Sequence, residues 1–200
     1  MRYGMVIDLK RCIGCHTCTI TCKTENDTRP GIFWNRVLVE ETGEYPQVGK
    51  YFLPRICMHC ENPSCVEVCP TGASAKREDG IVEVDEDKCV GCKYCIVACP
   101  YGARYFNEDN GGYYGKELIA NEIIGYRRHK LGVVTKCNFC LHKLDRQAQP
   151  ACVKSCLAEA RVFGDLDDSE SEISRLIRSR HGFNLMHELG NNPAVYYLAP

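Results

Sequence analysis

Sixteen of the 200 residues are cysteine, and they fall into four groups of four. The groups are Cys12, Cys15, Cys18, Cys22; Cys57, Cys60, Cys65, Cys69; Cys89, Cys92, Cys95, Cys99; and Cys137, Cys140, Cys152, Cys156. No cysteine is left over. Thiolates at such spacings bind soft metals or pair as disulfides. C-x2-C pairs also suit tetrahedral zinc. Three chemistries therefore compete for the same residues, and the detailed spacing is what separates them.

Groups one and three both read C-x2-C-x2-C-x3-C, and Cys99 is followed at once by Pro100. This is the run with which bacterial ferredoxins hold [4Fe–4S] clusters. Three cysteines wrap three corners of one cubane, and the fourth, on a helical turn, reaches a second cluster. A zinc site needs no third cysteine at that spacing and no fourth beyond it. Gly14 and Gly91 sit in the first gap of each run, where close backbone approach lets N–H groups donate to sulfur. Groups two and four are stretched versions. Their inner gaps are Cys60-x4-Cys65 and Cys140-x11-Cys152, and each ends in x3 before the last cysteine. A longer gap enlarges a loop without moving the ligands at its ends.

The elements that position these loops repeat. Gly4-Met-Val-Ile-Asp8 and Gly80-Ile-Val-Glu-Val-Asp85 each end at an Asp four residues before a first ligand. Cys69-Pro-Thr-Gly-Ala73, Cys99-Pro-Tyr-Gly-Ala-Arg104 and Cys156-Leu-Ala-Glu-Ala-Arg161 are variants of one exit. Two of them lead into extended segments, Ala103–Phe106 and Ala160–Phe163. Alternation predicts short strands around each loop and a helical turn over each x3 segment. This internal repetition predicts an α+β fold of two ferredoxin-like two-cluster modules, nested in sequence, with loop insertions and a C-terminal helix and strand. Ligand sharing sets the expected boundaries. Residues 57–106 form an inner module, and residues 1–56 with 132–165 form an outer one. Residues 107–131 are an insertion and residues 166–200 a tail that packs on the modules or a partner.

Outside the repeats the signals are weaker. Residues 26–55 read as a long connection with short strands such as Arg36-Val-Leu-Val39. Asn110–Gly115 reads as a turn, followed by a helix over Glu117–Arg128. Ser169 and Glu172 stand at capping-box spacing before an apolar stripe of Ile173, Leu176 and Ile177, and residues 192–198 read as a last strand. His16 and His59 lie inside ligand loops. With four cysteines per site they are expected beside the ligands, not among them. Arg127-Arg-His-Lys130 reads as a solvated basic face.

The formal charge of −1 gives no nucleic-acid footprint. The first residues reach an acidic side chain too soon for an export signal, and no apolar stretch has bilayer length. There is no Ser/His/Asp arrangement, no phosphate-cradling glycine loop and no paired carboxylate motif. No catalytic residue is expected, and folding is expected to depend on the metal.

Four cysteine groups in this order, with the stretched fourth group, resemble the four-cluster iron–sulfur (beta) electron-transfer subunit of the dimethyl sulfoxide reductase family of molybdopterin oxidoreductases. The likeness runs along nearly the whole chain. Gly4–Leu9, Cys22–Asn26, His59–Pro63, Cys69–Ala73, Lys136–Cys140, Pro150–Cys152 and Phe163–Asp168 are most similar to the small subunits of polysulfide, thiosulfate and arsenate reductases. The resemblance implies four [4Fe–4S] clusters and a ligand assignment. Cys12, Cys15, Cys18 and Cys156 would hold the cluster nearest the molybdenum, and Cys22, Cys137, Cys140 and Cys152 the second. Cys69, Cys89, Cys92 and Cys95 would hold the third, and Cys57, Cys60, Cys65 and Cys99 the outermost. Some relatives lack the second ligand of group three and hold three irons there; Cys92 is present, so four cubanes are expected. Leu157 departs from the proline that many relatives place after the last cysteine. The resemblance also implies a large catalytic subunit of the molybdopterin bis-guanine-dinucleotide type, and a membrane quinol-oxidising subunit or soluble carrier. It implies a periplasmic or other extracytoplasmic site by co-export, with a cytoplasmic site as the alternative. A free-standing polyferredoxin and a zinc-stabilised scaffold are the competing functions.

Overall fold

The computed structural model describes residues 1–109 and 111–200, so Asn110, the first residue of the expected turn, lies outside the described residues. The protein opens with strand β1 (Tyr3–Asp8) and helix α1 (Thr17–Asn26). A hairpin of β2 (Arg36–Glu44) and β3 (Gln47–Arg55) follows. Next come α2 (Ser64–Glu67), β4 (Ser74–Lys76), β5 (Val82–Val84), α3 (Tyr94–Ala98) and β6 (Tyr105–Asn107). Then α4 (Ala120–Gly125) leads through a 3₁₀ turn, Tyr126–Arg128, to β7 (Val133–Thr135). The last part holds α5 (Leu141–Leu144), α6 (Ala151–Lys154), β8 (Arg161–Asp165), α7 (Glu172–Ser179) and β9 (Val195–Leu198).

The sheets are small because the cysteine loops interrupt every strand run. One has the order β8-β1-β9, and three are two-stranded pairs. β1 lies antiparallel to β8, with Met5 opposite Phe163, and parallel to β9, with Met5 opposite Val195. This sheet joins the two ends of the chain. β6 pairs with β7, Phe106 opposite Val134, so the last strand of the 57–106 segment is completed by a strand from beyond residue 131. The two strand–Asp–cysteine segments fold alike. Cys12 N–H donates to Asp8 C=O and Cys89 N–H to Asp85 C=O, both at 3.1 Å.

The structure differs from the sequence expectations at several points. Residues 36–55 form a hairpin of two nine-residue strands, not a connection with short strands. The expected helix over 117–128 starts at Ala120, because Glu122 folds back to accept from the N–H groups of Ile119 and Tyr113 and closes the segment ahead of it. The cap of α7 is Ser171, whose Oγ accepts from Ser174 N–H at 3.3 Å, and Ser169 lies outside the helix. The basic run is not free. Arg128 pairs with Asp27, His129 with Glu86 and Lys130 with Asp87.

The tail lies on the body. Ala194 N–H donates to Met58 C=O, Glu61 N–H to Asn192 C=O, and the buried Tyr197 hydroxyl to Pro54 C=O. Arg180 pairs with the buried Asp8. Tyr197, Met5, Ile7, Phe139, Met58 and Ile81 are enclosed in the main core together with cysteines from three of the four groups. Among the described residues no helix is long and apolar enough to cross a membrane.

Candidate metal centres

All sixteen cysteines are free thiols. Cys12, Cys15, Cys18 and Cys156 line one cavity, and Cys69, Cys89, Cys92 and Cys95 line another. Cys22 lies against Cys137, Cys152 and Cys140, and Cys60 against Cys57, Cys65 and Cys99. Each of the four gatherings draws three cysteines from one loop and one from another. Among the described residues no three His, Cys, Asp or Glu side chains converge tightly enough for a single metal ion. The thiols surround spaces instead of meeting at a point.

Local backbone geometry explains how short loops do this. Gly14 has φ +67° and Gly91 φ +70°. A Cβ on Gly14 would lie 2.2 Å from the Phe52 ring, and one on Gly91 2.2 Å from the Gly132 carbonyl oxygen. His16 and Lys93, two residues on, are also left-handed and begin α1 and α3. The backbone thus doubles back and aims N–H groups at sulfur. Ser74 N–H and Ala160 N–H each donate at 3.3 Å, to Cys69 and Cys156, and Val134 N–H at 3.4 Å to Cys89. Asn26 Nδ2 donates to Cys22 at 3.5 Å.

The four sets form a row. Cys152 of the second set faces Cys18 of the first, and Cys137 of the second faces Cys57. The set containing Cys57 is therefore next to the second. The outermost place belongs to Cys69, Cys89, Cys92 and Cys95, which reverses the order expected for the last two. The middle of the row is dry and its ends are open. Cys22, Cys137, Cys140 and Cys152 are all buried, whereas Cys15 and Cys92 are exposed.

The thiols report the same contrast. Burial first, then neighbouring thiols, push Cys60 up to about 12, and Cys137 is raised further. Burial also raises Cys152, to about 11, against the pull of Arg161. At Cys69 slight burial acts upward, but donors from Ser74, Thr71 and Ala73 outweigh it and bring the thiol to about 7. Metal coordination removes these protons, since the thiolate is the ligand.

Sequence reasoning missed the buried cations. Arg104 and Arg161 are each 4% exposed, and each donates to sulfur, Arg104 to Cys65 at 2.9 Å and Arg161 to Cys18 at 3.4 Å. The signal was the repeat itself, because both follow the last cysteine of a group by five positions. The ammonium of Lys136 is also buried, on the carbonyls of Val82 and Cys137. A buried guanidinium turned toward thiols requires negative charge at that place. A thiolate-ligated iron–sulfur group carries such charge, so the donor set and its surroundings fit one. His16 is exposed. His59 is buried with Nδ1 accepting from Val82 N–H at 3.1 Å.

A model of the 4Fe-4S dicluster domain matches residues 48–115 and 123–166, and a second such model matches residues 11–73. The iron–sulfur partner of selenate reductase in Mesobacillus selenatarsenatis, its B component, is 45% identical over 214 residues, spanning 99% of this chain and 72% of its own length. This protein belongs to the iron–sulfur subunits of the dimethyl sulfoxide reductase family. The arsenate respiratory reductase iron–sulfur subunit of a Shewanella species is 38% identical, covering 99% of this chain and 96% of the relative. The corresponding B component of the anaerobic dimethyl sulfoxide reductase of Escherichia coli is 37% identical, covering 90% and 78%. As a member of this family, the iron–sulfur subunit has four [4Fe–4S] clusters as its cofactors, two for each dicluster unit, and sixteen cysteines to hold them.

Proposed function

We propose that this iron–sulfur subunit relays single electrons along its row of four cysteine sets, between a catalytic partner at one end and an electron donor or acceptor at the other. The observation that carries this reading is the row itself: sixteen thiols used without remainder, buried in the middle and exposed at both ends. The proposed ligand sets are Cys12, Cys15, Cys18, Cys156; Cys22, Cys137, Cys140, Cys152; Cys57, Cys60, Cys65, Cys99; and Cys69, Cys89, Cys92, Cys95. The first two sets constitute an outer module (1–56 with 132–165), and the last two an inner one (57–106). Each bound cluster accepts one electron and returns it. The polypeptide spaces the sets, keeps water from the middle and donates N–H groups to the sulfurs, which tunes each potential. No proton-transfer group is needed, and the subunit is not itself catalytic.

The two open ends are apolar. Ile13 and Leu157 are exposed beside the first set, and Val90, Tyr94 and Val97 beside the last, with Val97 at 88%. Clustered exposed apolar residues mark protein contacts. The relatives are components of reductases. The proposed partner at the first set is therefore a large molybdopterin bis-guanine-dinucleotide subunit. A membrane quinol-oxidising subunit or a soluble carrier is proposed at the last. The proposed site of action is extracytoplasmic, reached by co-export with a signal-bearing catalytic subunit.

The test is to isolate the intact complex anaerobically, identify the large subunit and measure iron and acid-labile sulfide. About sixteen irons per polypeptide and a co-purifying catalytic subunit are expected. A polypeptide that purifies alone with full iron would favour the free-standing polyferredoxin. A colourless protein without labile sulfide would favour the zinc scaffold. Fractionation of the source cells tests the compartment.

A further inference from the structure

Arg104 and Arg161 occupy equivalent positions. Arg104 follows Cys99 by five residues, and Arg161 follows Cys156 by five. Each guanidinium stands between two cysteine sets. Arg161 Nη2 donates to Cys18 of the first set at 3.4 Å and also reaches Cys152 of the second. Arg104 Nη2 donates to Cys65 of the third set at 2.9 Å and also reaches Cys95 of the fourth. Neutral groups orient both. Asn35 Oδ1 accepts from Arg161 at 3.0 Å, and Ser74 Oγ accepts from Arg104 at 2.7 Å. The middle junction is built differently, since the Lys136 ammonium there is taken up by two backbone carbonyls.

The groups of opposite charge facing each guanidinium are not carboxylates. Arg161 faces the thiols of Cys152, Cys18 and Cys156 and the phenol of Tyr197, and Arg104 faces those of Cys65, Cys57 and Cys95. Burying a cation without a counter-charge costs several kcal/mol. A guanidinium cannot shed its proton to escape that cost. The compensating charge must come from the thiolate-bound groups on either side.

We propose that Arg161 and Arg104 are shared counter-cations, each bridging two neighbouring clusters and holding the reduction potentials of both members of its pair up together. The inference rests on the ligand sets proposed above. Reduction adds one negative charge to a cluster, and a fixed positive charge against its sulfurs favours that state. Because each arginine touches both neighbours, it favours both. In a transfer one electron leaves one member of the pair and arrives at the other. No proton moves, and the charge of the pair as a whole is unaltered. The arginines thus keep two stations within reach of the same donor without setting one against the other.

The test is anaerobic potentiometry followed by electron paramagnetic resonance on the intact complex, with iron and sulfide measured on each variant. Arg161→Gln is expected to retain its iron and to lower the midpoints of the first two clusters. The expected change is at least tenfold in the reduced-to-oxidised ratio at a fixed potential, about 59 mV for one electron. The other two clusters should move less. Arg104→Gln should act likewise on the third and fourth. Arg161→Lys, which keeps the charge, should stay within that tenfold of the parent. Unmoved midpoints at full iron, a shift confined to one cluster, or a lysine variant as low as the glutamine variant would each overturn the proposal. If Arg161→Gln sheds iron, Arg161→Lys decides alone: parental midpoints support the shared charge and lowered ones overturn it. A parent complex short of iron would overturn the ligand sets themselves.

Discussion

The imidazole of His59 stacks on the ring of Phe139, their centroids 3.8 Å apart. His59 lies between Cys57 and Cys60, and Phe139 between Cys137 and Cys140. Two C-x2-C loops of different sets are therefore pressed together through their middle residues. Both rings are buried. Burial, with Lys136 and Arg104 nearby, holds His59 far below the usual imidazole range, so the stack is neutral.

Phe139→Ala should remove this contact and leave a cavity between two metal sites. Truncating a buried Phe costs about 3–5 kcal/mol. Anaerobic thermal unfolding should show a large fall in Tm for Phe139→Ala and a smaller one for Phe139→Leu. An alanine variant as stable as its parent would mean the stack does not hold the loops together.

Cys92 is the most accessible member of the outermost set to change, being exposed. Cys92→Ser should convert that site to a three-iron centre and leave the other three intact. Iron should fall from about sixteen to about fifteen per polypeptide, with a new three-iron resonance in the oxidised protein. An unaltered spectrum and iron count would remove Cys92 from the set.

Gly91→Ala should be more damaging than Gly14→Ala. Both positions need a positive φ, which costs a residue with a Cβ roughly 1–2 kcal/mol. At Gly91 the new methyl meets the backbone oxygen of Gly132, which cannot turn aside, whereas at Gly14 it meets the ring of Phe52, which can. Iron retained after mild heating should rank the parent above Gly14→Ala and Gly14→Ala above Gly91→Ala. The reverse order for the two variants would locate the constraint elsewhere.

His129 gives the fold a pH dependence. Burial acts to lower its pKa, but Glu86 at 3.0 Å and the Asn26 carbonyl at 2.7 Å outweigh it, and the net shift is upward. The folded state therefore binds this proton more tightly than the unfolded state does. The stabilisation is complete below the unfolded value of about 6.5 and is lost as pH rises through the folded one. Tm measured from about pH 6 to about pH 9 should decline in the parent and decline less in His129→Gln. Parallel curves would show that the clamp does not titrate in this range.

The cysteine spacing was legible because ligand geometry is local. Three thiols on one tight loop must be near each other in sequence, and the x3 step to a fourth is fixed by one helical turn. The strand–Asp–cysteine repeat was legible for the same reason, and its two copies fold alike at Asp8 and Asp85. The hairpin at 36–55 was not. Its strands, carrying Glu40, Glu41, Lys50 and Tyr51, are largely exposed and lack a clean apolar alternation, so pairing across Tyr45-Pro46 defines them more than pattern does. The basic run 127–130 looked solvated because its partners Asp27, Glu86 and Asp87 lie more than forty residues away.

By itself the sequence determined the number of thiols, their grouping and the kind of metal centre they suit, since these depend on residue type and short-range spacing. Only the tertiary structure decided the order of the row, where Cys57 rather than Cys69 neighbours the second set. It alone placed Arg104 and Arg161 in the junctions. Which loops touch, and which charge is buried between them, depends on long-range packing, and no local pattern encodes that.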